Sequence, residues 1–353
     1  MMIIVRVMAA ILGLLVVYGA LRSAVRTLLT PRSIRDPIAS YVFIVVRRLF
    51  GLRLRRLTAY ERRDRWMAYY APVGLLCLLL VYLFLVQVGF MFLLWASGGP
   101  TWREAFTISG SSLLTLGFAN GNTFLQIVLD FLAAAIGLIL VALVIAYLPT
   151  MYNAYSARER AVTLLEVMAG EPPSAITLLL RYYRNNGLDE LSNSWASWGE
   201  WFAHLEESHT ALAPLVFFRS SRPAHSWVTA AGTVLDAASL TLAVVDIPFD
   251  ARAALCIRSG YLALRRVSDI FQVQYKADPH FPADPVSIKK VEFDAAYEEL
   301  REAGMPVKPN RDQAWLDFAG WRVNYDHPLL ALSHLTMAPE APWTADRDPV
   351  VAP

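Results

Sequence analysis

Two apolar segments, Met67 to Ala96 and Thr123 to Thr150, bracket one polar stretch, TWREAFTISGSSLLTLGFANGN, from Thr101 to Asn122. Each flanking segment exceeds the twenty or so residues that cross roughly 30 Å of hydrocarbon. The stretch between them is too short to cross and return as two helices. It has room for one short helix that descends part way and an extended segment that climbs back to the same surface. Backbone of that kind survives at membrane depth only where it is buried in protein or lines a watery cavity. The spacing therefore predicts one re-entrant hairpin between two spans.

Apolar residues make up 56% of the 353, and they concentrate in the first 150 positions, which argues for a membrane part followed by a helical part of ordinary soluble composition. Met1 to Leu21 is apolar except for Arg6 and is long enough to span. It lacks a small-residue cleavage site, and arginines follow it directly, so it reads as a retained first span rather than a signal peptide. From Leu21 to Trp66 the chain carries Arg22, Arg26, Arg32, Arg35, Arg47, Arg48, Arg53, Arg55, Arg56, Arg62, Arg63 and Arg65 against three acids. The positive-inside rule puts this segment in the cytoplasm. The first span then runs inward, the second returns outward, the hairpin opens outside, and the third span brings the chain back in. The expected location is a bacterial-type inner membrane, multi-pass, with a cytoplasmic C-terminal domain. Ile38 to Leu57 is too charged to cross and reads as an interfacial helix or basic collar against anionic lipid. Its arginines do not keep the every-third spacing of a voltage sensor. Cys77 and Cys256 offer neither a disulfide nor metal-ligand spacing.

After Pro149 and Thr150 the patterns are helical, with Ala157 to Ala169 as the first helix beyond the membrane, stopped by Gly170 and the Pro172, Pro173 pair. His225 to Val245 is apolar enough to suggest a fourth crossing. Asp236 at its middle, with Thr229, Thr233, Ser239 and Thr241, makes it a buried core helix instead. The fold class is an all-α membrane protein: three transmembrane helices with one re-entrant pore hairpin, followed by an all-α cytoplasmic domain. The divisions are 1–66 (first span and basic segment), 67–150 (outer helix, pore helix and filter, inner helix), 151–335 (helical domain) and 336–353, a Pro- and Asp-rich tail expected to be disordered.

The residues that carry chemistry are Thr115, Leu116, Gly117, Phe118 and Ala119. Removing an ion's water needs rings of backbone carbonyls and a threonine hydroxyl on an extended segment with little side-chain bulk. The run TLGFAN, at the end of a Ser-rich helix candidate and between two spans, resembles the T-V-G-Y-G-D filter of the potassium channel family over about residues 67–160. That resemblance implies carbonyls from Thr115, Leu116, Gly117 and Phe118 facing permeant potassium or another monovalent cation, with the Thr115 hydroxyl innermost. Ala119 stands where the family has a second Gly, and Asn120 where it has Asp. A Cβ at 119 costs about 1 to 2 kcal/mol per subunit if that backbone needs positive φ. Ser109, Ser111 and Ser112 are placed to brace the filter from behind or to satisfy pore-helix backbone, and Asn120 and Asp130 are placed to support it. Filters of this kind take four hairpins around one axis, and this chain has one, so a homotetramer is implied. Gly137 is the candidate gating hinge of the inner helix, with close helix packing, shared with Ala133, Ala134 and Ala135, as the alternative reason for its small size.

The other constellations are weak. His204, Glu206, Glu207 and His209 hold acids between two histidines five apart, which diverge by about 140° on a helix, unlike the H-E-x-x-H pair. They read as a solvated face. Trp195, Trp198 and Trp201 read as a packing seam. No glycine loop cradles phosphate, no nucleotide fingerprint follows the inner helix, and no nucleophile elbow occurs. Neither an enzyme nor a nucleic-acid binder is expected, no cofactor is implied, and no metal beyond transient potassium at the filter. Two functions remain: a cation channel gated by its helical domain through an unknown cytoplasmic regulator, or a non-conducting channel-like scaffold or sensor whose helical domain binds a partner.

Overall fold

The structure, a computed structural model, describes residues 2–30, 36–55 and 57–348. Arg32, Arg35 and Arg56 of the basic segment and residues 349–353 of the tail lie outside the described residues. Among the described residues every regular element is helical apart from one isolated bridge, Val245 with Val307. Two compact units result: residues 1–58 with 66–153, and residues 59–65 with 154–353.

In the first unit α1 (Met2–Leu28), α2 (Pro37–Leu54) and α5 (Trp102–Leu113) all pack on α4 (Tyr70–Ala96), and α6 (Phe124–Ala169) begins in the same unit. Three helical stretches are long and apolar enough to cross a membrane: Met2–Leu28, Tyr60–Ala96 and Phe124–Ala169. The second comprises the short α3 (Tyr60–Met67) and α4. Small residues set how closely the helices approach. A Cβ on Gly13 of α1 meets the Gly89 carbonyl oxygen of α4 at 2.6 Å, and one on Gly89 meets Val17 at 2.5 Å, so this crossing is open only to glycine at both positions. Asp36 caps α2 by accepting from the Ile38 and Ala39 N–H groups, with Pro37 at the first turn. The same carboxylate accepts from the Ser23 hydroxyl, which also bonds the Tyr82 hydroxyl at 2.9 Å, so α1, α2 and α4 share one buried polar knot.

The second unit is built around α9 (Trp227–Ala243), which is buried on all sides along nearly its whole length. Against it pack α7 (Ala175–Arg184), α10 (Ala251–Ile270), α12 (Arg311–Arg322) and α13 (Asp326–Thr336), while α8 (Leu191–Ala211) packs on α10 and α11 (Lys290–Glu302) on α7 and α12. The polar residues of α9 are each satisfied. Thr229 donates to the Ser226 carbonyl, Thr233 to that of Pro173, and Ser239 bonds the Tyr325 hydroxyl at 2.9 Å. Asp236 accepts from Arg322 and Tyr325.

Two sequence expectations are corrected. The inner helix does not stop at Thr150, and Ala157 to Ala169 is not a separate helix, because α6 runs unbroken from Phe124 through Pro149 to Ala169. A helical proline forfeits one hydrogen bond to the carbonyl four residues back, a loss that a long helix absorbs. The tail is not disordered as far as residue 348. Thr344 and Trp343 are buried, Arg322 donates to the Trp343 carbonyl at 2.6 Å, and Arg347 pairs with Glu292 at 2.9 Å. Those partners are distant in sequence, so no local periodicity announces them.

Candidate functional site

Two capping boxes frame the stretch from Thr101 to Asn122. Thr101 accepts from the Glu104 N–H at 3.3 Å while Glu104 accepts from the Thr101 N–H at 2.7 Å, which starts α5. Gln126 and Thr123 repeat the exchange at the start of α6. The buried Gln126 amide also donates to the Ser97 hydroxyl at 3.0 Å and the Gly98 carbonyl at 3.1 Å, so one side chain ties the end of α4 to the start of α6. Thr-x-x-Glu and Thr-x-x-Gln are legible in the sequence as helix starts.

Between the two helices, residues 116–123 form neither helix nor strand. The end of α5 is closed by the Leu116 N–H donating to the Ser111 carbonyl at 2.8 Å and the Thr115 N–H donating to that of Ser112 at 3.0 Å. This is the Schellman pattern, whose left-handed residue is ordinarily glycine. Here it is Thr115, at φ 54°, with Gly117 following at φ 76°. Leu116, Phe118, Ala119 and Asn120 carry no positive φ, so the Cβ of Ala119 is accommodated without strain. Its methyl packs against the cluster of Leu94, Ala105 and Ile108.

The predicted supporting residues divide into those that reach the segment and those that do not. The Ser111 hydroxyl accepts from the Ala119 N–H at 3.0 Å, eight residues on. Ser109 donates to the Phe106 carbonyl within its own helix. Ser112 contributes its carbonyl to the helix end, as above. Asp130, buried in α6, accepts from the Gly121 N–H at 2.7 Å, and its other carboxylate oxygen has no hydrogen-bond partner. The Thr115 hydroxyl donates to the Leu114 carbonyl at 2.8 Å. Asn120 is exposed.

At Gly137 the structure gives the packing alternative a specific partner. A Cβ there would stand 2.0 Å from the Leu113 carbonyl oxygen, where α6 passes the last turn of α5. Leu116, Phe118 and Phe124 leave 59%, 68% and 83% of their surface exposed, so the segment presents large apolar groups outward. No known family model, curated protein or solved structure matches the chain.

In the second unit the His204 to His209 group does not converge. His204 and Glu207 are solvent-facing and 4.0 Å apart, Glu206 pairs with Arg266, and His209 is fully buried rather than on a solvated face. The His209 Nε2 faces the Arg158 guanidinium at 3.3 Å and its Nδ1 faces the Leu205 carbonyl at 2.9 Å. Burial first, and then the Arg158 charge, hold this imidazole well below its ordinary value, so it is neutral, with the proton on Nδ1. Trp195 and Trp201 are buried and Trp198 packs on the same core, which makes the tryptophan stripe a packing seam. Sequence reading missed the group formed by Glu166, Glu171 and His225.

Proposed function

We propose that this protein is a membrane cation channel, potassium-conducting, in which the segment from Thr115 to Ala119 is the filter and four chains surround one pore. The supporting observation is a non-helical segment with left-handed backbone at Thr115 and Gly117, held from behind by Ser111 and Asp130, between two helices able to cross a membrane. Alternating backbone handedness turns successive carbonyls toward one side, which a dehydrating oxygen ring requires. The exposed Leu116, Phe118 and Phe124 side chains find cover in neighbouring copies. The arginine distribution orients the chain with its C-terminal helical unit in the cytoplasm, where a regulator that favours one arrangement shifts opening through α6.

The second reading is a non-conducting channel-like scaffold, favoured by the Ala119 methyl being used for packing where the family has glycine. Reconstitution into liposomes under potassium or sodium gradients separates the two. Flux that prefers potassium, lost in Gly117→Asp with the oligomer intact by size exclusion, is the expected outcome. Absence of flux from an assembled tetramer, or wild-type flux in Gly117→Asp, overturns the channel.

A further inference from the structure

The cleft between the last turn of α6 and the start of α9 holds three side chains with ligand atoms all within 4.8 Å of one another: Glu166, Glu171 and His225. Local structure brings them there. Gly170, at φ 79°, ends α6 and turns the chain so that Glu171 comes back beside Glu166. His225 directly precedes Ser226, the N-cap of α9, and its side chain is only 6% exposed.

Histidine Nε2 is buried and has no hydrogen-bond partner, although a Glu166 carboxylate oxygen lies 2.9 Å away. The two atoms are therefore adjacent without pointing at one another. Adjacent ligands on one ion stand in that relation: bonds of about 2.1 Å put donor atoms about 3 Å apart on an octahedral ion and about 3.4 Å apart on a tetrahedral one. Two carboxylates beside an imidazole nitrogen form a donor set that suits a divalent cation. Arg222, which donates to both Glu166 oxygens at 3.0 and 3.2 Å, is 61% exposed and free to swing into water when an ion takes that carboxylate.

From this geometry we infer that Glu166, Glu171 and His225 form a binding site for a first-row divalent transition cation of the zinc or manganese class. A nitrogen donor beside two oxygens suits these ions better than magnesium or calcium, which take oxygen alone. Three protein ligands leave coordination positions for water. The bound ion would fasten the end of α6 to the start of α9. The inference stands apart from the channel reading and holds whether or not the protein conducts.

Calorimetry on the tag-free, chelator-treated full chain in detergent tests it, with zinc ion as the probe and manganese and magnesium in parallel. Expected are one saturable zinc equivalent per chain, no comparable magnesium binding, and affinity at least tenfold weaker in both His225→Gln and Glu171→Gln. Glu171 is exposed, so its variant reports even where the histidine variant fails to fold. Replacing the solvent-facing His204 by Ala should change nothing. Cobalt should give an absorption band that shifts in His225→Gln. No saturable binding at millimolar zinc, or equal affinity in Glu171→Gln and wild type, overturns the site.

Discussion

Thr115 occupies a backbone region that costs a non-glycine residue about 1 to 2 kcal/mol, more for a β-branched one. Such strain persists where surrounding contacts over-determine it, and here the helix-closing bonds to Ser111 and Ser112 do so. Thr115→Gly should therefore raise the thermal midpoint of the purified protein, while a hydroxyl needed for ions should make the same variant lose flux. A variant both more stable and fully conducting would separate Thr115 from the conduction path. At His209 the sign runs the other way round from a salt-bridged histidine. The unfolded chain takes up a proton as pH falls through the ordinary value of 6.5, and the buried neutral ring does not. Stability is complete above pH 6.5 and declines below it, by up to about 1.4 kcal/mol per pH unit. Urea midpoints at pH 6.5 and 5.5 should differ in the wild type and differ less in His209→Gln, where the half-buried His327, also held below its ordinary value by burial, keeps part of the dependence.

Between α5 and α6 the contact is set by one missing side chain. Gly137→Ala would drive a methyl into the Leu113 carbonyl, a backbone group that no rotamer change relieves. Displacing α5 costs about 1 to 3 kcal/mol on the usual scale of overpacking. Reduced thermal stability with increased proteolysis between α5 and α6 is expected. Unchanged stability with altered opening alone would return Gly137 to the hinge role. The α5 cap, the polar insert and the two apolar flanks were legible from residues 67–150, because each follows from local spacing. The bond from Gly121 to Asp130 was legible only in part: an acid in an apolar helix demands a partner, but its identity depends on how the segment turns.

At the scale of the molecule, the helical unit is organised by a charge at its centre. Arg322 is fully buried between Asp236 and Asp326 and also donates to the Trp343 carbonyl. Burial opposes its charge, but the two aspartates outweigh it and keep the guanidinium ionised. Arg322→Leu leaves two buried carboxylates without their counter-ion, which costs about 3 to 5 kcal/mol. The same change frees the Trp343 carbonyl, so trypsin should cut at Arg347 faster than in the wild type. A variant with wild-type stability and an unchanged digestion pattern would remove the network from this role.

The order of apolar segments, the helical class and the arginine bias are properties of composition and period, which act over a few turns of chain. They determined that three stretches are able to cross a membrane and that α9 is a core helix, since Asp236 in an apolar run needs burial with a partner. Tertiary structure alone decided that partner, 86 residues away at Arg322. It likewise decided the ordering of the tail to residue 348, the glycine contact at 137, and the meeting of Glu166 and Glu171 with His225. Each depends on segments brought together by packing, and no local pattern records which distant backbone a side chain will find.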